Sequence, residues 1–284
     1  LYGFSRGQNF IKKVKMTPNL RILSLGAGVQ SSTLALMIEK GEVPMVDAAI
    51  FADTMGEPKA VYNWLNWLET QLSYPVYRVS QGNLKQDMLE VVDDKPKFLS
   101  VPLYIKNMQT GKKSLLRRQC TREYKIHPIN QKVRNLLGLA KGEKRKKGTK
   151  VEMLMGISTD EIVRMKPNRI KYISNVYPLV DKGMSRSNCK GWMENHKYPK
   201  PPRSACTFCP YHTNEEWKTI KENKQEWDEV VELDEAIRNR TKNKVDQFFL
   251  HKTCVPLNKI DFNKDTKLKQ LDLFTEECDG ICAL

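Results

Sequence analysis

A glycine-rich turn near the start of the chain carries residue types that can hold phosphate groups. Backbone N–H groups in such a turn cradle phosphate oxygens, and the N-terminus of a following helix adds favourable partial charge. The candidate residues are Gly26, Ala27, Gly28, Gln30, Ser31 and Ser32. The turn has neither the Gly-Lys-Ser/Thr ending of a Walker loop nor the third glycine of the dinucleotide fingerprint. Because a tight strand-to-helix connection also favours glycine for steric reasons, spacing alone leaves both interpretations open.

Cysteines are the second group of residues that could bind a metal or act as nucleophiles. Cys206 and Cys209 are in a C-x-x-C turn, a spacing with which two thiolates can hold one metal ion or two irons of a cluster. Cys189, on a predicted helix, and Cys120, in a basic segment, are the candidate partners. An isolated cysteine is more often a small buried hydrophobe, and thiolate ligation alone does not distinguish zinc from iron. The odd total of seven cysteines favours reduced thiols over disulfides.

Alternating strands and helices must position these groups. Apolar runs predict strands at 21–25, 46–52, 75–79 and 151–156, and helical spacing predicts helices at 31–40, 58–72, 84–92 and 214–240. This alternation predicts an α/β fold with a Rossmann-like parallel sheet, whose ligands bind at the carboxyl ends of the strands. The predicted divisions are a basic N-terminal arm (1–20), a nucleotide-binding α/β domain (21–180) and a cysteine-rich helical region with a C-terminal tail (181–284).

The charge of the chain points to an anionic partner. Lys and Arg number 48 against 33 Asp and Glu, a formal net charge of +15, which attracts polyanions such as nucleic acid. The densest positive segment, 141–150, is either a contact for a phosphate backbone or a solvated loop. No apolar run approaches the roughly 20 residues that cross a bilayer, and the first 19 residues do not resemble a secretion signal. We therefore predict a cytoplasmic protein with no membrane partner.

The glycine turn resembles the S-G-G-x-D-S pyrophosphate loop of the PP-loop superfamily. The segment from Ser24 to Ser32 carries this resemblance, and residues 23–282 are similar to phage and bacterial proteins of the phosphoadenosine phosphosulfate (PAPS) reductase family. The resemblance implies a fold of the adenine nucleotide alpha hydrolase type. It also places Asp53 and Thr54, similar to the family's Asp-Thr-Gly, beside the nucleotide. Gln30 stands where the family has aspartate, so nucleotide binding is implied more firmly than hydrolysis between the α- and β-phosphates.

A later segment resembles the family's Gly-x-x-x-x-Glu-x-x-Arg stretch, which closes over the nucleotide phosphates. It contains Gly156, Glu161, Arg164 and Lys166. The resemblance implies that Gly156 and Lys166 contact the nucleotide and that Arg164 neutralises developing charge during the reaction. The alternative is an ordinary helix cap with solvated basic residues.

The cysteine segments also have counterparts. Residues 118–128 resemble the first cysteine segment of iron–sulfur adenylyl sulfate reductases, and the C-x-x-C resembles the second. This implies a [4Fe–4S] cluster held by Cys120, Cys189, Cys206 and Cys209, with structural zinc as the alternative. The tail around Cys278 and Cys282 resembles the C-terminal segment of sulfonucleotide reductases, which makes these two thiols catalytic candidates. A redox disulfide or simple surface packing are the other interpretations of the tail.

Together these features predict ATP-dependent sulfur transfer to a nucleic acid such as tRNA. ATP with Mg²⁺ would adenylate a substrate oxygen, pyrophosphate would leave, and sulfur would then displace AMP. The alternative enzyme is a sulfonucleotide reductase, in which Cys278 or Cys282 attacks the sulfur of adenylyl sulfate. A third hypothesis is a non-catalytic accessory protein that binds nucleic acid or serves DNA modification. A homodimer is a further expectation.

Overall fold

A computed structural model describes residues 19–92, 95–96, 100–241 and 245–263. Ten strands lie within these ranges: β1 (Leu20–Leu25), β2 (Ala48–Asp53), β3 (Val76–Ser80), β4 (Val91–Val92), β5 (Lys95–Pro96), β6 (Tyr104–Asn107), β7 (Lys113–Leu115), β8 (Val151–Met155), β9 (Ile173–Val176) and β10 (Asp246–Phe249). The same ranges contain eight α-helices: α1 (Val29–Glu39), α2 (Lys59–Glu69), α3 (Leu84–Leu89), α4 (His127–Leu136), α5 (Pro178–Asp181), α6 (Arg186–Asn195), α7 (Asn214–Glu222) and α8 (Lys224–Ile237). A π-helix (Thr121–Ile126) leads into α4, and two 3-10 helices span Thr159–Arg164 and Leu257–Lys259.

The centre of the fold is a five-stranded parallel sheet in the order β3-β2-β1-β8-β9. Its inner strands are almost continuously buried, as expected for strands covered on both faces. The α/β class predicted from the sequence is therefore confirmed. The strand order reverses at β1, because β2 and β3 extend to one side while β8 and β9 extend to the other. Such a reversal leaves a crevice outside the carboxyl ends of the two central strands, here β1 and β8.

Helices cover both faces of this sheet. On one face α1, α2 and α6 share a core with the sheet, in which Cys189 and Met193 of α6 are fully buried. On the other face α4 contributes Ile129 and Val133 to a second core with the sheet. Helix α6 thus completes the cover of the parallel sheet, although it follows the boundary predicted at residue 180.

A third core is built from two distant stretches of the chain. Strands β6, β7 and β10 form an antiparallel sheet in the order β10-β6-β7, which sequence analysis did not predict. Helices α3, α7 and α8 share its apolar core. Within the described part of the predicted region 181–284, α6 packs on the parallel sheet, while α7 and α8 pack with residues that precede α4. The single helix predicted at 214–240 is two helices, because the Asn223 side chain accepts the N–H of Glu226 and starts α8.

The basic segment 141–150 lies at the amino edge of the parallel sheet. It leads directly into β8, and the Asn19 N–H ahead of β1 donates to the carbonyl of Lys150 at 2.8 Å. Its first eight residues are exposed. Because the crevice is at the carboxyl edge, this concentration of charge is on the opposite side of the sheet. Within the described ranges, we find no helix with the length and apolar character to cross a membrane.

Candidate functional site

The glycine turn lies at the carboxyl end of β1 and closes on itself. The Gly26 N–H donates to Ser31 Oγ at 3.1 Å, and the same hydroxyl donates to the Gly28 carbonyl at 3.3 Å. Ala27 has a φ of +59°, a left-handed conformation that an alanine rarely adopts. Gly28 is the N-cap of α1 and offers no side chain to the first-turn N–H groups. These donors are therefore directed at the crevice, where an anion can accept them.

Gln30 connects this turn to both neighbouring segments. Its buried side chain places Nε2 3.4 Å from Ser158 Oγ, in the loop after β8. Its Oε1 accepts a hydrogen bond from Arg186 Nη1 at 3.0 Å. The first turns of α1 and α6 and the loop after β8 therefore meet at one amide. This meeting point is the crevice where the strand order reverses.

Asp160 holds the far side of the same network. It accepts the Ser158 hydroxyl, and both of its oxygens lie 3.1 Å from the Arg186 backbone N–H. Burial works against ionisation of Asp160, but these hydrogen bonds and the Arg186 charge outweigh it and lower the pKa of the carboxyl. Asp160 is therefore ionised at neutral pH, and its oxygens already accept hydrogen bonds from Ser158 and Arg186.

Asp53 and Thr54 lie at the end of β2, beside the crevice. Asp53 Oδ1 accepts the Met55 N–H at 2.7 Å and the Tyr62 hydroxyl at 2.8 Å. Burial and this hydrogen bond raise the pKa of Tyr62, so the phenol remains a donor. Met55 has a φ of +56°, and its side chain is 51% exposed. The turn after β2 therefore fixes Asp53 as an acceptor and directs Met55 to solvent.

Thr54 is part of a buried group that also contains Glu57, Lys125 and Cys206, here called the cysteine–glutamate cluster. Thr54 Oγ1 and Cys206 Sγ are 3.1 Å apart, and Glu57 Oε1 lies 3.3 Å from Lys125 Nζ and 4.0 Å from Cys206 Sγ. Glu57 Oε2 is buried and has no hydrogen-bond partner among the described residues. Burial and the Glu57 carboxylate raise the pKa of Cys206 well above its usual value. The Cys206 thiol is therefore protonated at neutral pH.

The four cysteines predicted as metal ligands are not gathered at one place. Cys120 starts the π-helix and packs in the same apolar core as Cys206, and the Cys209 N–H donates to the Cys206 carbonyl at 2.9 Å. Cys189 instead lies on α6 inside the core of the parallel sheet, beside Thr33, where burial raises its pKa to about 12. Within the described ranges, no group of three or more His, Cys, Asp or Glu side chains is arranged to hold a metal ion. The residues present do not fit one four-thiolate site.

The remaining predicted site residues differ in their burial and in their hydrogen-bond partners. Arg164 forms an ion pair with Glu161 at 2.7 Å, whereas the Lys166 side chain is exposed and its backbone binds the Tyr177 hydroxyl. Gly156 follows β8 directly and is buried. Ser24 is in β1, and Ser32 Oγ accepts the Trp64 indole N–H at 2.9 Å inside the core. Cys278 and Cys282 lie outside the described residues.

Sequence reasoning did not select Glu57, Ser158, Asp160 or Arg186 as site residues. Ser158 and Asp160 are in a segment chosen for its glycine and basic residues, so their position after β8 was the signal that was overlooked. Glu57 likewise follows the end of β2 by four positions. Arg186 carries no local signal, because its side chain reaches Gln30 only through the packing of α6 on α1.

Gly56 allows the turn after β2 to lie close to the C-x-x-C. A Cβ at this position would lie 2.6 Å from the buried Phe208 ring, and the Gly56 carbonyl accepts the Thr207 N–H at 2.8 Å. We expect Gly56→Ala to lower the free energy of unfolding by about 1–3 kcal/mol, because a buried ring has little room to move. Urea denaturation measures this change.

Gly191 provides the matched control for the same substitution. It lies within α6, and a Cβ there would have no neighbour within 4 Å. Gly191→Ala should therefore stabilise the protein by about 0.5–1 kcal/mol through helix propensity. Equal effects of the two substitutions would show that the Phe208 contact does not limit Gly56.

Comparisons with known proteins show distant structural likeness. No protein-family model matches the chain, and no curated protein matches it. The structure is similar to that of a phosphoadenylyl-sulfate (PAPS) reductase from Candida auris, solved as a phosphate complex. The two chains are 15% identical, the match covers 66% of this chain and 78% of the other, and the TM-score is 0.39. The likeness is one of fold alone.

Proposed function

We propose that this chain binds an adenosine nucleotide by its phosphates, in the crevice between β1 and β8, and uses it in sulfur chemistry. One observation carries the proposal: the uncapped N-terminus of α1, the Gln30 amide and the Arg186 guanidinium meet where the strand order reverses. Backbone N–H groups and a guanidinium are the donors that phosphate oxygens favour. The adenosine part of the proposal rests on the resemblance of the Ser24–Ser32 loop.

We propose a thiol-dependent reaction on the bound nucleotide. A cluster held by all four predicted thiolates would need Cys189 next to Cys206, whereas Cys189 is buried beside Thr33 in the core of the parallel sheet. Sulfonucleotide reduction needs a thiol nucleophile, a second thiol that releases sulfite from the intermediate, and an external reductant. The tail cysteines, Cys278 and Cys282, supply the two thiols in this proposal.

The proposed reaction proceeds in two displacements. The thiolate of one tail cysteine attacks the sulfate sulfur, so an S–S bond forms while the S–O bond to the nucleotide phosphate breaks. The leaving phosphate carries the electron pair of that bond, and Arg186 and the loop N–H groups stabilise its charge. The second tail thiol then attacks the first cysteine, which releases sulfite and forms a disulfide. An external dithiol reduces that disulfide and restores the enzyme.

The test is release of sulfite from adenylyl sulfate and from PAPS, with dithiothreitol as reductant. We expect sulfite release by the full chain and its loss in Cys278→Ser and in Cys282→Ser. Nucleotide affinity measured by calorimetry should be unchanged in both variants, because the phosphate contacts come from other residues. Undiminished sulfite release in the double variant would contradict the thiol mechanism. Pyrophosphate release from ATP in the presence of tRNA, without sulfite production, would support ATP-dependent sulfur transfer instead.

A further inference from the structure

We infer that the crevice neutralises its nucleotide phosphates with the Arg186 guanidinium, without a divalent cation. This inference rests on the proposed function and specifies its substrate class. The favoured ligand is a nucleotide that binds as a free anion, such as a sulfonucleotide, in preference to a Mg²⁺–nucleotide complex. Arg186 thereby becomes a specificity-determining residue that neither the loop motif nor the cysteine segments indicate.

The side chain that faces the phosphate loop is that of Gln30. Gln30 is the second residue of α1, and its side chain is buried with only 2% exposure. Mg²⁺ in proteins is held chiefly by carboxylates, water and substrate phosphates. Here the crevice presents a neutral amide, and its oxygen already accepts Arg186 Nη1 at 3.0 Å. The position beside the loop thus holds a fixed cation in the form of a guanidinium.

Two carboxylates, Asp160 and Asp53, lie at the edges of the crevice. Asp160 accepts the Ser158 hydroxyl and the Arg186 backbone N–H. Asp53 accepts the Met55 N–H and the Tyr62 hydroxyl. Both oxygens of Asp160 and Oδ1 of Asp53 therefore already accept N–H or O–H donors. The carboxylate that shares Ser158 with Gln30 is thus committed to holding the start of α6.

Several groups beside the phosphate loop can donate hydrogen bonds to an anion. Helix α1 has no acidic residue in its first turn and no side-chain cap, so its N-terminus keeps its positive partial charge. Ser204 is fully buried, and its hydroxyl has no hydrogen-bond partner among the residues described. It lies beside the phosphate loop, since a Cβ on Gly28 would be 3.9 Å from Ser204 Cβ. Among the described residues, the groups beside the loop that can donate to an anion therefore include a guanidinium, backbone N–H groups and a hydroxyl.

Calorimetric titration of the full chain with ATP and with adenylyl sulfate tests this inference. We expect ATP to bind at least as tightly in EDTA as in Mg²⁺, and the affinity for adenylyl sulfate to be the same in both. Arg186→Gln should weaken both nucleotides by about tenfold or more, because it removes a charge-assisted interaction but keeps the backbone N–H to Asp160. Arg145→Gln, an exposed arginine of the basic segment at the opposite edge, is the matched control and should leave affinity unchanged.

A second variant replaces the neutral amide at position 30 by a carboxylate. Gln30→Glu has nearly the same shape but places a carboxylate next to Arg186. We expect it to weaken ATP binding in EDTA by about tenfold or more and to make the remaining binding depend on Mg²⁺. Thermal unfolding of each variant establishes that the fold is retained.

The outcomes separate this inference from the proposed function. If the wild-type chain binds ATP only when Mg²⁺ is present, the inference is overturned and the proposed nucleotide site stands. If Arg186→Gln binds both nucleotides with unchanged affinity, the assigned role of Arg186 is wrong. If neither nucleotide binds the wild-type chain under any condition, both the inference and the proposed function fail.

Discussion

Replacing Asp234 by alanine is expected to lower the free energy of unfolding by about 3–5 kcal/mol. The Asp234 side chain is 1% exposed and accepts the N–H groups of Leu250 at 3.0 Å and Leu257 at 3.1 Å. It also forms an ion pair with Arg238, whose Nη1 donates to the Phe248 carbonyl at 2.7 Å. Removal of the carboxylate leaves two buried N–H groups and a buried guanidinium without their acceptor. Equilibrium urea denaturation measures the loss.

Asp228 is the matched control on the same helix. It pairs with Lys224 one turn earlier, but the side chains are 58% and 87% exposed. Exposed pairs of this kind contribute little, so Asp228→Ala should change the free energy of unfolding by about 0.5 kcal/mol or less. A comparable loss in both variants would mean that Asp234 does not fasten α8 to β10 and the segment after it.

Mild acid is expected to destabilise the fold through two buried histidines. Burial, with the charge of Arg203, lowers the pKa of His212 to about 4, and burial with the nearby Lys252 and Lys113 lowers that of His251 to about 4. The unfolded chain binds a proton at each histidine near pH 6.5, whereas the folded chain does so only near pH 4. Stability contributed by the neutral histidines is therefore present above about pH 6.5 and is lost as pH falls towards 4. Each contributes about 3 kcal/mol to this loss.

Urea denaturation at a series of pH values from about 7 to about 4.5 measures this dependence. The His212 Nε2 donates to the Cys206 carbonyl at 2.9 Å, and a glutamine amide can replace that donor without titrating. His212→Gln should therefore flatten the pH dependence, while His196→Gln, at an exposed position, should leave it unchanged. The lowered pKa of Asp160 acts in a separate window, because its stabilising effect is lost only near and below pH 3.8. An unchanged slope in His212→Gln would contradict the assignment.

Four of the five strands of the parallel sheet could be predicted from the sequence because they carry their own signal, whereas β9 was not predicted. β1, β2 and β8 are apolar runs, and each is followed by a turn or a helical pattern. The antiparallel sheet could not be predicted. β7 is three exposed residues with no alternation, and β6 pairs with a strand far along the chain, so local patterns do not reveal either.

The site could be predicted only where it depends on local sequence. The glycine turn lies at the end of β1, as its composition indicated. The partner of Gln30 depends on how α6 packs, which no motif around Arg186 encodes. Cys189 was grouped with Cys206 by its residue type, but its place on α6 directs it into the core of the sheet. The cofactor that the other cysteines bind stays a prediction.

The pairing of β6 with β10, which joins Asn107 to Asp246, also sets an order of events during synthesis. All strands of the parallel sheet and the helix that completes its cover have been made once Asn195 is reached. The apolar core shared by α3 and β6 is not closed until Phe262 follows. At about 5–20 residues per second, the intervening residues take about 3–13 s. For that interval the nascent chain has the crevice residues of α1 and α6, with Ser204 joining nine residues after Asn195, beside an unpaired edge of β6. A nucleotide bound early would hold the first half together while the second is still being translated.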